Sequence, residues 1–306
     1  MLFFGRSKRA FVLCDDSFLR NHIKLQYLAE KHSIKICSVC MENDIYDTIY
    51  GFKNIKNFLP KDELDISRYD IVILFCEDAK IDQFKERALN LGFSEQHMVP
   101  RKVMECYGFD MDCYLDLKKD TPTIIASNCW GGLTYNLLSL RFNSPTINMY
   151  FSSMDYLKFC FNLKQYLTEK LVLQGYQRGA YEKTPICKCG DILLYFNHYP
   201  SFEDAVNAWE RRKARMNFNN MLFMHYSEDM DICRKFLTLP APKILFSPYD
   251  LDSSEAFYVK YRNAKGYDKL EFWKIINRYA RYQIAGYDVF SLLKDKKIVR
   301  IAEYQD

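Results

Sequence analysis

No stretch of this 306-residue chain approaches the roughly 20 consecutive apolar residues that a spanning helix needs, so no transmembrane segment is expected. Charge of one sign is also lacking. Basic and acidic residues number 43 and 39, a net +4 that calls for neither nucleic acid nor an anionic membrane as partner. Histidine is scarce, with five in the chain, which leaves few positions for a general base working near neutral pH. Internal repeats, low-complexity tracts and coiled-coil heptads are missing, so the chain reads as globular. The opening MLFFGRSKRAF holds no apolar run with a cleavage site, and the expectation is a cytoplasmic protein with reduced thiols.

Cysteine and aromatic residues, by contrast, are plentiful. Aromatics make up 16% of the chain, including 23 Tyr and 23 Phe, enough for thick cores or for sugar-stacking surfaces. The eleven cysteines are spread over a long chain rather than packed into a small disulfide scaffold. Cys37 and Cys40 form a CxxC, but within the strand-like run Ile34 to Val39, and neither they nor Cys187 and Cys189 have a second pair at zinc-binding spacing. No metal and no cofactor are expected. The length predicts two α/β domains, residues 1–120 and 121–306, with the polar segment Cys106 to Asp120 as the linker.

In the first domain, Ala10 to Cys14 is strand-like, Phe18 to Lys31 has helical spacing, and Ile34 to Val39 is a second strand. Ile71 to Phe75 followed by Ile81 to Leu91, closed by Gly92, repeats the pattern, so a parallel sheet with crossover helices is predicted. With Ile55 to Pro60 and the LGF that ends the second helix, this segment resembles the Rossmann-type nucleotide-binding domains that bacteria fuse to sugar-modifying modules. The phosphate loop departs from that pattern. Between first strand and helix stand Cys14, Asp15, Asp16, Ser17 and Phe18, with no glycine and with two carboxylates that repel phosphate. Glu42 and Asp44 could still accept from a ribose hydroxyl, but the loop reads as degenerate.

The second domain gathers the chemistry. Thr123 to Ala126 is a buried-strand pattern that ends in Ser127, Asn128, Cys129, Trp130, Gly131 and Gly132, where paired glycines permit positive φ and close approach of backbone or ligand. Asn143, Ser144 and Pro145 form a turn before Thr146, Ile147 and Asn148, read as a second short strand. A helix capped by Ser152 or Ser153 is predicted to near Lys170, a loop over Gly175 to Pro185, and a strand over Asp191 to Phe196 leading to His198. Phe202 to Arg215 is a helix capped by Ser201 whose last turn carries Arg211, Arg212, Lys213 and Arg215, suited to the helix dipole or to a phosphate or carboxylate. Strands at Met221 to His225, Lys243 to Phe246 and Ala256 to Tyr261, and a helix from Tyr267 to Ala285, complete it.

Residues Ser127 to Gly132 and Asn143 to Asn148, then Asp155, Phe159 and Leu163, and then His198, Tyr199, Phe202, Ala205, Trp209, Arg212 and Asn217 carry a further likeness. On them the second domain resembles a family of functionally uncharacterised bacterial proteins often encoded beside exopolysaccharide or capsule biosynthesis enzymes. The resemblance implies a two-domain α/β protein linked to surface polysaccharide; it supplies no catalytic residue. Two functions fit the chemistry. In a sugar-modifying transferase, His198 is the candidate base and Cys129 a candidate nucleophile; Asn128 and Asn148 bind sugar hydroxyls, Trp130 stacks on the ring, and Arg211, Arg212 and Arg215 hold an anionic donor such as a nucleotide sugar. The alternative is a non-enzymatic glycan-binding or scaffold subunit of a polysaccharide assembly. Asn128, Cys129, Trp130, Asn148 and His198 are expected on one concave surface at strand ends.

Overall fold

The computed structural model describes residues 7–42, 48–49, 51–53, 64–259, 271–282 and 286–301. Ile55 to Pro60, Asp44, and the start and end of the helix expected from Tyr267 to Ala285 lie outside them. The chain divides into two compact units, Met1–Lys119 and Asp120–Asp306, and both are α/β.

In the first unit, strands β1 (Lys8–Cys14), β2 (Ile34–Met41), β5 (Ile71–Phe75) and β6 (Met98–Pro100) form a parallel sheet in the order β2-β1-β5-β6. A two-stranded ribbon, β3 (Thr48–Ile49) and β4 (Phe52–Lys53), follows β2. Every residue of β5 is buried, as a continuous apolar run covered on both faces should be. Helices α1 (Phe18–Lys31), α2 (Ile81–Asn90), α3 (Arg101–Met104) and α4 (Met111–Lys119) complete the unit. Helix α4 lies where a linker was expected. Met111, Tyr114 and Leu117 recur at helical spacing and are buried, while the Asp110 carboxylate accepts from the Cys113 amide at 2.8 Å. The loop after β1 is closed by its own anion: buried Asp15 accepts from the Ser17 amide at 3.0 Å and hydroxyl, and from the Glu77 amide at 3.1 Å. A carboxylate therefore occupies the place beside α1 that a phosphate would need.

The second unit is built on a parallel sheet of β7 (Thr123–Ala126), β11 (Met221–Tyr226), β12 (Lys243–Ser247) and β13 (Ala256–Tyr258), in the order β13-β12-β11-β7. Strand β7 is an edge, and its outward amides are satisfied by side chains instead of a neighbouring strand. The Ile124 amide donates to the Tyr135 hydroxyl at 2.9 Å and the Ala126 amide to Thr146 Oγ1 at 3.1 Å. For this reason Thr146 to Asn148 is no strand, contrary to expectation. Its side chains, not its backbone, meet the sheet, and Asn148 turns away at φ +60°.

Between β7 and β11 come α5 (Trp130–Leu137), α6 (Ser153–Phe161), α7 (Leu163–Thr168), an antiparallel sheet of β8 (Leu171–Gln177), β9 (Thr184–Cys189) and β10 (Ile192–Tyr195), and α8 (Phe202–Lys213). The single helix expected to Lys170 breaks at Asn162, whose side chain donates to the Lys158 carbonyl at 3.2 Å. The loop expected over Gly175 to Pro185 shrinks to the turn of the β8–β9 hairpin. Ser152 and Ser201 cap α6 and α8 as predicted, each accepting the amide three residues on. Helix α9 (Met230–Leu237) links β11 to β12, and α10 (Phe272–Tyr282) and α11 (Val289–Asp295) follow β13. One face of the sheet, through Ile125, Phe223 and Leu245, packs on Tyr156, Phe159, Phe196, Trp209 and Phe236; α10 packs on α5.

Candidate functional site

The carboxyl end of β7 runs straight into α5. The Asn128 side chain accepts the Trp130 amide at 3.0 Å, which fixes the turn that leads into the helix. Gly131 and Gly132 are helical rather than left-handed, and their role is contact. A Cβ on Gly131 would lie 3.2 Å from Ala126 Cβ, and one on Gly132 would lie 3.2 Å from Asn148 Oδ1 and from Ile147 Cγ2. Small residues thus let α5 settle on β7 and let the Asn148 amide sit against its first turn.

A cavity of 710 Å³, the size of a single small-molecule site, opens at this point. Cys129, Leu133 and Asn148 form one wall; Gly179, Ala180, Asn197 and His198 form a second; Trp273, Lys274, Asn277 and Arg278 of α10 form the third. The hairpin turn is tied into it, since the Ala180 amide donates to the Asn197 carbonyl at 2.8 Å and a Cβ on Gly179 would lie 2.6 Å from that oxygen. All three walls belong to the second unit.

Among the described residues the lining is rich in amides and holds no carboxylate. Among the described residues Asn197 Oδ1 and Asn277 Oδ1 are shielded from solvent and have no hydrogen-bond partner, so the site holds hydrogen-bonding capacity that a ligand can use. Lys274 donates to Glu271 at 2.8 Å and lies 5.3 Å from the centre of the half-exposed Trp273 ring. Arg278 is exposed. His198 stands at the rim, and the water its ring loses holds the imidazole below its ordinary value, hence neutral at pH 7. Cys129 precedes the first turn of α5 and is half-buried. Close by, burial first, and Cys129, Glu228, Glu271 and Tyr150 after it, push the Tyr226 phenol up to about 12.

Of the residues singled out from sequence, Cys129, Asn148 and His198 meet at this cavity. Asn128 holds the turn that leads into α5. Trp130 does not reach it: the indole is fully buried, donates to the Tyr287 hydroxyl at 3.1 Å and packs on Phe246, so it cannot stack on a sugar. Arg211, Arg212 and Arg215 do not line it either. Arg212 is buried against Tyr199 and Phe142 instead. Their places are taken by Trp273, Lys274, Asn277 and Arg278, which the sequence reading passed over. The signal was present as two i,i+4 pairs opposite the inward Phe272 and Ile276. Cys187 and Cys189 are fully buried on β9, and burial pushes both thiols up to about 12. Among the described residues no group of three or more His, Cys, Asp or Glu is placed to hold a metal, and no helix is long and apolar enough to cross a membrane.

Residues 101–293 match the family described as a domain of unknown function, DUF1919. A protein from Haemophilus influenzae described as uncharacterized is 33% identical over 145 residues, which cover 45% of this chain and 68% of that one. The family match, residues 101–293, spans the whole of the β7-to-α10 region that builds the cavity, and the chain belongs to the DUF1919 family.

Proposed function

We propose that the second unit binds a phosphorylated sugar donor, a nucleotide sugar or its like, and transfers the sugar during surface polysaccharide biosynthesis. The observation that carries this reading is the convergence of three asparagine amides, an indole and two cations on one cavity, with two of the amide oxygens shielded and unpartnered. Amides in this number suit the paired hydroxyls of a pyranose, and the Trp273 ring offers an apolar face for its C–H groups. Lys274 and Arg278 stand on the same wall as that ring, so a phosphate attached to the sugar meets positive charge.

In this scheme His198 takes the proton from the acceptor hydroxyl. Its neutral ring is the form a base requires, and its rim position leaves it open to an acceptor arriving from solvent. The two cations stabilise the phosphate that departs with the electrons of the broken sugar–oxygen bond. Cys129 lies in the same wall, and no covalent step is assigned to it.

The test is a titration of the full-length protein with nucleotide sugars, followed by calorimetry and by transfer to a glycan acceptor. Lys274→Ala with Arg278→Ala is expected to weaken donor binding at least about tenfold, a loss of about 1.4 kcal/mol. His198→Ala is expected to keep donor affinity and lose about 10²-fold or more in transfer rate. The wild-type rate should climb with pH and reach half its maximum below pH 6.5, because the imidazole is held below that value. Glycan binding without donor binding or turnover would reject the transferase and leave a glycan-binding subunit.

A further inference from the structure

The last turn of α8 is rich in positive charge. Arg211 and Arg212 lie in that last turn, and Arg215 follows its C-cap Ala214 directly. Arg141 adjoins them through its neighbour Phe142, whose ring centre lies 5.5 Å from the Arg212 guanidinium. Among the described residues no carboxylate pairs with any of the four, and Glu210, the nearest acid in sequence, is engaged by Lys213 at 2.7 Å.

Arg212 makes the imbalance acute. It is 7% exposed, donates through Nη1 to the Tyr199 hydroxyl and, at 3.5 Å, to the Ile147 carbonyl, and leaves its Nε shielded and without a partner. Arg215 Nε is likewise shielded and unpartnered. Burial first, then the charges of Arg141, Arg211 and Arg212, hold the Arg215 guanidinium below its ordinary value, so Arg215 feels the other three cations. A helix carboxyl terminus carries about half a negative charge, which suits one exposed cation and falls short of four with one of them buried.

We infer that Arg141, Arg211, Arg212 and Arg215 form a phosphoryl- or pyrophosphoryl-binding site outside the lining of the amide-rich cavity. Guanidinium groups present paired N–H donors that match phosphate oxygens, and Arg141 and Arg211 are exposed to an incoming ion. An incoming dianion neutralises the mutual repulsion as it binds. The site also touches the cavity wall: Arg212 holds Ile147 and Tyr199, and the residues next to these, Asn148 and His198, line the cavity. The inference stands whether or not the cavity takes a sugar donor.

Full-length protein is titrated with inorganic pyrophosphate at low ionic strength, by calorimetry and thermal melting. Pyrophosphate should raise the melting temperature and bind at submillimolar concentration, weakening steeply with added salt. Arg211→Gln with Arg215→Gln leaves the Arg212 contacts in place. This variant should lose at least about tenfold in pyrophosphate affinity and, without ligand, melt higher than wild type, since like charges have been removed. Lys274→Gln with Arg278→Gln removes the cavity's own cations, so pyrophosphate affinity lost in this pair and kept in the Arg211/Arg215 variant overturns the inference. A nucleoside diphosphate that competes with pyrophosphate and is weakened by both variant pairs marks a phosphate carried on a larger ligand; weakening by the arginine pair alone marks a free ion. Unaltered pyrophosphate binding in the Arg211/Arg215 variant, no binding at millimolar concentration in wild type, or a lower melting temperature in the ligand-free variant overturns the inference.

Discussion

His225 is fully buried on β11, ringed by Tyr156, Tyr226 and Phe236, and neither of its ring nitrogens has a partner. Desolvation pushes its imidazole down to about 3 from an ordinary 6.5. Between these values the unfolded chain binds a proton that the folded chain refuses. Stability therefore falls as pH drops from 6.5 towards 3, by up to about 1.4 kcal/mol per pH unit, and the group has no effect above that window. His225→Phe puts a slightly larger apolar ring in place of the imidazole and removes the two stranded nitrogens. It should stabilise the protein at pH 7 by about 1–2 kcal/mol and flatten the acid limb, read from urea unfolding at pH 7 and pH 5. A destabilised variant with the slope intact would mean that the nitrogens are satisfied in solution. At the same scale, sequence could show that β7 ends in a polar turn at Ser127 to Cys129, but not that the neighbouring Trp130 points inward, because burial at a strand-to-helix turn depends on what packs over it.

Helix α5 shows how an element is placed by what it omits. Gly132 has Asn148 Oδ1 and Ile147 Cγ2 at contact distance from where a Cβ would stand, and both belong to a segment pinned by Thr146 to the edge of β7. Gly132→Ala is expected to cost about 1–3 kcal/mol by overpacking, and to weaken ligand binding because it displaces Asn148 from the cavity wall. Comparing unfolding free energies with calorimetric affinity separates the two effects; an unchanged stability would mean that the 146–148 turn yields freely. Regular elements such as β5, α1 and α8 were legible because buried apolar runs and 3.6-residue spacing survive in sequence. Strand β8, Leu171–Gln177, was not. It is an edge strand with Val172, Leu173 and Tyr176 exposed and Gly175 in its middle, so neither alternation nor a continuous core run marks it.

Every residue assigned to the cavity or to the arginine group falls between Cys129 and Arg278, within the unit Asp120–Asp306. That unit has its own sheet and core, and its first residue is tied into it: the Asp120 carboxylate accepts from Asn217 Nδ2 at 2.6 Å and Asn220 Nδ2 at 2.8 Å, just before β11 begins. The family match nevertheless starts at Arg101, so it takes in α3 and α4 of the first unit as well. These boundaries make different predictions. If the contact division is the energetic one, residues 120–306 produced alone unfold in one cooperative transition and bind pyrophosphate and donor within about threefold of the full chain, under about 1 kcal/mol. If the family boundary is the energetic one, that fragment aggregates or melts without a transition, while residues 101–306 restore both. Equilibrium unfolding and calorimetry on the two fragments decide between them. We expect the shorter one to suffice, because α4 buries Met111, Tyr114 and Leu117 within the first unit and supplies no group to the site.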